Sequence, residues 1–292
     1  MNQIYIKGRA KINLALDIVG KRDDGYHQLS TIMQTMTLCD SLLIKKIQKP
    51  DYLKVISNLP WLPNDQRNLA WQAARYLIDR FAIPDGIFIS INKAIPASAG
   101  LGGGSADCAA TLLGIRNLFG LPISNEEIKE LSVRFGADVP FCVMQGCAHA
   151  GGIGEELSPL PPLPPMYVLL VKPNVIVSTE DVFKRYDPEK VAARPDVDKV
   201  IHNIHKGNLA GICENIANVL ESVSAVRYPI IDDIKAVMTE NGALTAMMTG
   251  SGPTVFGIFK TRKAARGAAD AVKATYPRIN EIFVTKPYYP KK

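Results

Sequence analysis

Polar and apolar positions in this chain follow two alternating periods. Near the N-terminus, Ile4-Tyr5-Ile6 and then Lys11-Ile12-Asn13-Leu14-Ala15-Leu16-Asp17-Ile18 alternate in the manner of half-buried strands. Side chains two apart on a strand share a face. Ile12, Leu14, Leu16 and Ile18 are therefore expected in the core, with Lys11, Asn13 and Asp17 on the opposite face as a candidate site wall. The period becomes helical over 68–81, where Leu69, Ala73, Tyr76, Leu77 and Arg80 follow helical spacing, and returns to a strand over 86–91. A second helix is predicted over 107–119, stopped by Gly120 with Pro122 beyond it. A third opens at the capping box Ser124-x-x-Glu127 and runs to Phe135, where Gly136 closes it. Asp138 thus falls just past a helix end.

The second half alternates again. A strand is predicted over 167–171, a helix from Ser178-Thr179-Glu180-Asp181, helices over 201–220 and 230–241, and a strand over 255–259 entered through the turn Met248-Thr249-Gly250-Ser251-Gly252-Pro253-Thr254. A helix over 262–274 and a strand over 281–285 complete the pattern. The clearest composition break is Leu157-Ser158-Pro159-Leu160-Pro161-Pro162-Leu163-Pro164-Pro165, which reads as a spacer between two lobes, 1–157 and 158–292. A partner-docking PxxP segment is the alternative reading.

Composition narrows the classes. The 292 residues, 47% hydrophobic, suffice for a substantial core without cross-links. Five cysteines, odd in number, without C-x-x-C spacing and without a signal peptide, suit a reducing cytoplasm. No run approaches the roughly 18 to 20 apolar residues of a membrane span. The net charge of +6 is dispersed among acids, with only short pairs such as Lys45-Lys46, so small anionic ligands are expected rather than nucleic acid.

The candidate anion site is Pro96-Ala97-Ser98-Ala99-Gly100-Leu101-Gly102-Gly103-Gly104-Ser105-Ala106, a glycine-rich loop leading into a helix. Glycines leave backbone N–H groups unobstructed, and the helix behind adds unsatisfied donors and the positive end of its dipole, worth roughly 0.3 to 1 kcal/mol per exposed charge. Phosphate fits such a cradle. No Gly-Lys-Ser/Thr follows, so this is not a Walker A loop, and Ser105 stands where Gly-x-Gly-x-x-Gly needs its third glycine. The plainer alternative is a tight turn requiring positive φ. His202-x-x-His205 lacks a convincing third ligand, and no metal site is read there.

Taken together, Lys11-Ile12-Asn13-Leu14, the loop 96–106 and Thr249-Gly250-Ser251-Gly252-Pro253 resemble the three ordered motifs of the GHMP kinases. The resemblance implies an α+β, two-lobed fold, with an N-terminal lobe like ribosomal protein S5 domain 2 and a ferredoxin-like C-terminal lobe. It implies ATP as phosphoryl donor, bound by the loop; Mg²⁺ is expected with ATP on general grounds, because it neutralises the phosphates, though no carboxylate cage for it is legible. By the same resemblance Asp138 is the general base toward a substrate hydroxyl and Lys11 sits beside it. Asp23-Asp24-Gly25-Tyr26-His27 and Gly136-Ala137-Asp138-Val139-Pro140-Phe141 are similar to the branch of the family that acts in non-mevalonate isoprenoid synthesis on a small molecule bearing cytidine diphosphate. There Tyr26, His27 and Phe183 would clamp the cytosine, with Asn13 also on the substrate. Ala106 departs from a common family serine, removing one hydroxyl from the loop. Another GHMP kinase, of homoserine or mevalonate type, and a non-catalytic nucleotide-binding homologue are the alternatives.

Overall fold

The computed structural model describes residues 2–290. They form two compact units, each assembled from segments distant in sequence. The first comprises 2–10, Leu38–Ala97 and Gly102–Gln145; the second comprises Lys11–Thr37, Ser98–Leu101 and Gly146–Lys292 as far as it is described. Two long strands, β1 (Gln3–Lys21) and β2 (His27–Ile47), pair with each other and contribute to both units.

In the first unit β3 (Leu53–Ser57) and β4 (Gly86–Asn92) run parallel, joined through helix α1 (Leu69–Phe81), and β4 pairs antiparallel with residues 41–47 of β2. Asn68 caps α1, accepting from Ala70 N. Helices α2 (Gly103–Phe119), α3 (Asn125–Ser132) and α4 (Val139–Met144) follow, and the capping box expected from Ser124 and Glu127 is present at α3. Buried Leu42, Ile44, Ile87 and Ile89 from the strands, with Ala73, Leu77, Leu112 and Ile115 from the helices, supply the core.

In the second unit β5 (Cys147–Gly151) pairs with residues 31–34 of β2 and with β6 (Glu156–Leu160). A separate antiparallel sheet joins β7 (Tyr167–Lys172), β8 (Thr245–Met248), β9 (Val255–Phe259) and β10 (Glu281–Thr285) in the order β10-β7-β9-β8. Between β7 and β8 lie α5 (Thr179–Arg185), α6 (Val197–Lys206), α7 (Leu209–Asn215), α8 (Glu221–Arg227) and α9 (Ile230–Glu240); α10 (Arg262–Thr275) precedes β10. A strand, a helical region, a hairpin, a helix and a returning strand in that order make the ferredoxin-like topology expected. Its core packs Leu169, Val171 and Phe259 against Ile231, Ile234, Met238, Ala265, Ala268 and Val272.

Four expectations change. The 157/158 lobe boundary falls inside β6, so half of the proline-rich segment is an edge strand rather than a spacer; an edge tolerates Pro159, which has no N–H to donate. The helix expected over 201–220 breaks where Gly207 adopts φ 64 at the end of α6 and Asn208 caps α7. The helix expected from Asp107 begins four residues earlier. The wall of Lys11 and Asn13 is buried, at 5% and 3% exposure, so β1 is covered on both faces there.

Candidate active site

In the second unit the buried polar residues of β1 are fixed by hydrogen bonds. Lys11 Nζ donates to Asn13 Oδ1 at 2.8 Å, and Asn13 Nδ2 donates to Thr31 Oγ1 at 2.9 Å, whose hydroxyl in turn donates to Ala15 O at 2.6 Å. Both ends of the Asn13 carboxamide are therefore engaged, and it orients the Lys11 ammonium. The backbone is pinned as well. Lys11 N donates to Leu101 O at 3.0 Å, and Asn13 N donates to Thr249 Oγ1 at 2.9 Å. The segment 98–101 of the first glycine loop meets the second glycine turn backbone to backbone: a Cβ on Gly100, whose φ is 72°, would lie 2.5 Å from Thr249 O. Only glycine satisfies both the angle and the approach. Lys11 and Asn13, the loop segment 98–101 and the turn at Thr249 thus meet within this unit.

The glycine run divides at Gly102. Ser98, Gly100 and Gly102 all have left-handed φ, at 50°, 72° and 66°, which folds 98–102 back on itself. Gly103, Gly104, Ser105 and Ala106 already form the first turn of α2, capped by Gly102 with no side-chain hydrogen bond and with no acidic residue in that turn. Glycines at the first two helical positions leave the free N–H groups of the turn bare, and the helix adds the field of its aligned peptides. Ala106 is fully buried. A hydroxyl at that position would face the interior.

Beneath this turn, in the first unit, lies a charged group that pattern reading missed. Lys93 Nζ bonds Asp107 Oδ2 at 2.6 Å and also Asp40 Oδ2, and all three side chains are nearly fully buried. Asp40 Oδ1 additionally accepts from Ala94 N at 2.6 Å and Ile95 N at 2.8 Å. The cluster ties the chain leaving β4 to the second turn of α2, so it clamps both stems of the glycine loop. Asp107 Oδ1 has no partner, and burial raises the Asp107 carboxyl to about 8. No sequence spacing signals such a group, because its members come from three elements.

Asp138 stands in the first unit as the residue preceding α4, with Pro140 in the first helical turn behind it. Its carbonyl accepts from Cys142 N at 3.1 Å, and its side chain does not cap the helix. The expected place past a helix end is therefore also a helix start.

The aromatic residues gather in the second unit. The His27 and Phe183 rings have centroids 5.6 Å apart, and Tyr186 meets His27 edge-on at 5.8 Å. Tyr26 precedes His27 in the turn closed by Asp24 and is 62% exposed; the ring contacts of the group are those of His27 with Phe183 and Tyr186. Tyr186 was not foreseen, nor was Arg194, which donates to Tyr186 Oη at 3.1 Å and to Asp17 Oδ1 at 2.6 Å. Burial, aided by Lys21, lowers the His27 pKa, so the ring stays neutral near pH 7 with one donor and one acceptor nitrogen.

Among the described residues no three His, Cys, Asp or Glu side chains converge to hold a metal ion, and no helix is long and apolar enough to cross a membrane. The family model for the GHMP kinases N terminal domain matches residues 68–146, and that for GHMP kinases C terminal matches 200–278. A 4-diphosphocytidyl-2-C-methyl-D-erythritol kinase of Caldicellulosiruptor saccharolyticus is 46% identical over 97% of this chain and 96% of its own. The protein of that name from Lachnoclostridium phytofermentans is 43% identical, covering 98% of both chains. A crystal structure of a 4-(cytidine 5'-diphospho)-2C-methyl-D-erythritol kinase superposes with a TM-score of 0.82 at 29% identity over 98% of this chain and 100% of that one. A homoserine kinase from Cytophaga hutchinsonii superposes at 0.80 with 20% identity over 98% of this chain and 95% of that one, which is a likeness of fold. With both family models matched and near-full-length relatives at 43% and 46% identity, the chain belongs to the GHMP kinases, ATP-dependent kinases of small molecules.

Proposed function

We propose that this chain transfers the γ-phosphoryl group of ATP to the 2-hydroxyl of 4-diphosphocytidyl-2-C-methyl-D-erythritol, a step of non-mevalonate isoprenoid synthesis in the cytoplasm. The observation that carries the substrate choice is the His27–Phe183–Tyr186 ring group, which offers a face for a pyrimidine and a neutral imidazole for its edge. The name of the near-full-length relatives supports the same reading.

The bare N–H groups of Gly103, Gly104 and Ser105, with the loop from Pro96, would receive the triphosphate. Asp138 takes the proton as the substrate oxygen bonds to the γ-phosphorus and the bond to the β–γ bridging oxygen breaks, releasing ADP. Lys11, aimed by Asn13, stabilises the charge that develops on the transferred group. Asn13 aims Lys11 and keeps a second N–H and a second oxygen lone pair with which it would contact the substrate. Mg²⁺ carried in with the nucleotide would neutralise phosphate charge, and the Ser105 hydroxyl would be the protein donor to it in the loop, since no carboxylate cage is present among the described residues. A positioned base supplies roughly 10² to 10⁴ in rate, whereas alignment of the reactants supplies roughly 7 to 11 kcal/mol, so positioning dominates.

Competition tests the base reading. CDP should inhibit with the acceptor's apparent affinity, UDP and free methylerythritol much less; equal inhibition by all three contradicts the clamp.

A further inference from the structure

A turn of sequence Thr249-Gly250-Ser251-Gly252 is intrinsically loose, because glycine loses more conformational freedom on ordering than any other residue. Gly250 and Gly252 both take left-handed φ, at 57° and 90°. Yet this turn must hold still, since Thr249 Oγ1 receives Asn13 N and Thr249 O lies against Gly100. Any rotation of the turn moves both the strand that presents Lys11 and the loop assigned to the phosphates.

What immobilises it is a short segment entering α8. The buried Asn218 carboxamide donates to Met248 O at 2.9 Å and to Gly250 O at 2.8 Å, while its own oxygen accepts from Leu220 N at 3.0 Å. Glu221 Oε1 accepts from Met248 N at 2.6 Å, and Glu221 Oε2 is held by Lys235 at 2.7 Å. Ser224 Oγ donates to Ser251 O at 2.9 Å. Three side chains within seven residues therefore grip Met248 at the entry to the turn and Gly250 and Ser251 within it. The same segment is anchored to β1, because Leu16 N donates to Ala217 O and Val219 N donates to Leu16 O, each at 3.0 Å. It is a template with β1 on one side and the glycine turn on the other.

We infer that Asn218, Glu221 and Ser224 are positioning residues for phosphoryl transfer, fixing the second glycine turn so that Lys11 and Gly100 keep their places. The inference rests on the kinase reading above. None of the three groups touches a reacting atom. Their loss should appear where Lys11 and the loop act and not at the His27–Phe183 ring group.

The test is a kinetic and binding comparison of Asn218→Asp, Glu221→Ala, Glu221→Gln and Ser224→Ala in the full chain, with rates normalised to active sites. Asn218→Asp keeps the shape but replaces two donors with an acceptor facing two carbonyls. It should lower kcat/KM for ATP by about tenfold or more, with the Kd for CDP unchanged. Glu221→Gln, whose Oε1 still accepts from Met248 N, should recover most of what Glu221→Ala loses. A merely structural role predicts fewer active molecules with wild-type kcat and KM in those that remain. Wild-type constants in Asn218→Asp and Glu221→Ala, or equal weakening of ATP and CDP, would overturn the inference. Should the wild-type chain fail to turn over the cytidyl substrate, the kinase reading fails separately. The Kd for ATP against that for CDP in the same variants then still decides whether the template holds the loop.

Discussion

The clamp of Lys93, Asp40 and Asp107 and the ring group of His27, Phe183 and Tyr186 are built on opposite principles. The first is sealed from water, joined by charge-assisted hydrogen bonds and tied to backbone N–H groups of the loop stem. The second is made of partly exposed rings with centroids nearly 6 Å apart, contacts that constrain orientation only weakly. Phosphate oxygens demand fixed donors, because an electrostatic cradle is effective only if it does not have to reorganise. A pyrimidine ring is held by stacking, which tolerates small displacements. The proposed phosphate side should therefore be intolerant of substitution through stability, and the proposed base side tolerant in stability while variable in specificity.

The largest effect is expected where neither region is disturbed. Asp138→Asn removes the proposed base alone. Turnover should fall by about 10² to 10⁴ while ATP and CDP still bind, as calorimetry would report; near-normal turnover would remove Asp138 from the mechanism. Lys93→Met strikes the clamp, leaving the buried Asp40 carboxylate and the Asp107 carboxyl without their cation. A loss of about 3 to 5 kcal/mol in denaturant unfolding is expected, and an unchanged midpoint would mean that the clamp carries no stability. Phe183→Ala strikes the ring group instead. The KM for the cytidyl substrate should rise by about 5- to 150-fold, in line with roughly 1 to 3 kcal/mol for a base stacked on an aromatic, with the KM for ATP and the melting temperature little changed. If both KM values rise together, the two regions are not separable.

The smallest effect concerns pH. Asp107 has its pKa raised to about 8, against an ordinary value of 3.8, so between those limits the folded chain holds a proton that the unfolded chain releases. Its contribution to stability is greatest at low pH and declines as pH rises from about 4 through about 8. Asp107→Asn should flatten that decline, which unfolding curves at pH 5 and pH 8.5 would detect.

Local signals carried much of this architecture. The capping box at Ser124, the glycine stops at Gly120 and Gly136, and the last strand at Glu281–Thr285 lie where propensity and pattern agree. β2 escaped because residues 31–36 are buried on both faces, which erases the alternation that marks a strand. The wall of Lys11 and Asn13 was legible as a face but not as a buried one, since its cover, Thr31 and Thr249, arrives from 18 and 236 residues away. Lys93, Asp40 and Asp107 look like ordinary surface charges until three elements bring them together. Tyr186 and Arg194 carry no motif. The residues of the site that sequence could name were those in contiguous motifs, whereas the groups that hold them in place were visible only in three dimensions.

The most direct measurement is release of ADP by the purified chain with ATP and, in separate reactions, 4-diphosphocytidyl-2-C-methyl-D-erythritol, homoserine and mevalonate. Turnover is expected on the cytidyl substrate, with the product phosphorylated at the 2-hydroxyl, and background rates on the other two. Turnover on homoserine or mevalonate in preference to it, or on none of the three, would rule out the proposed activity.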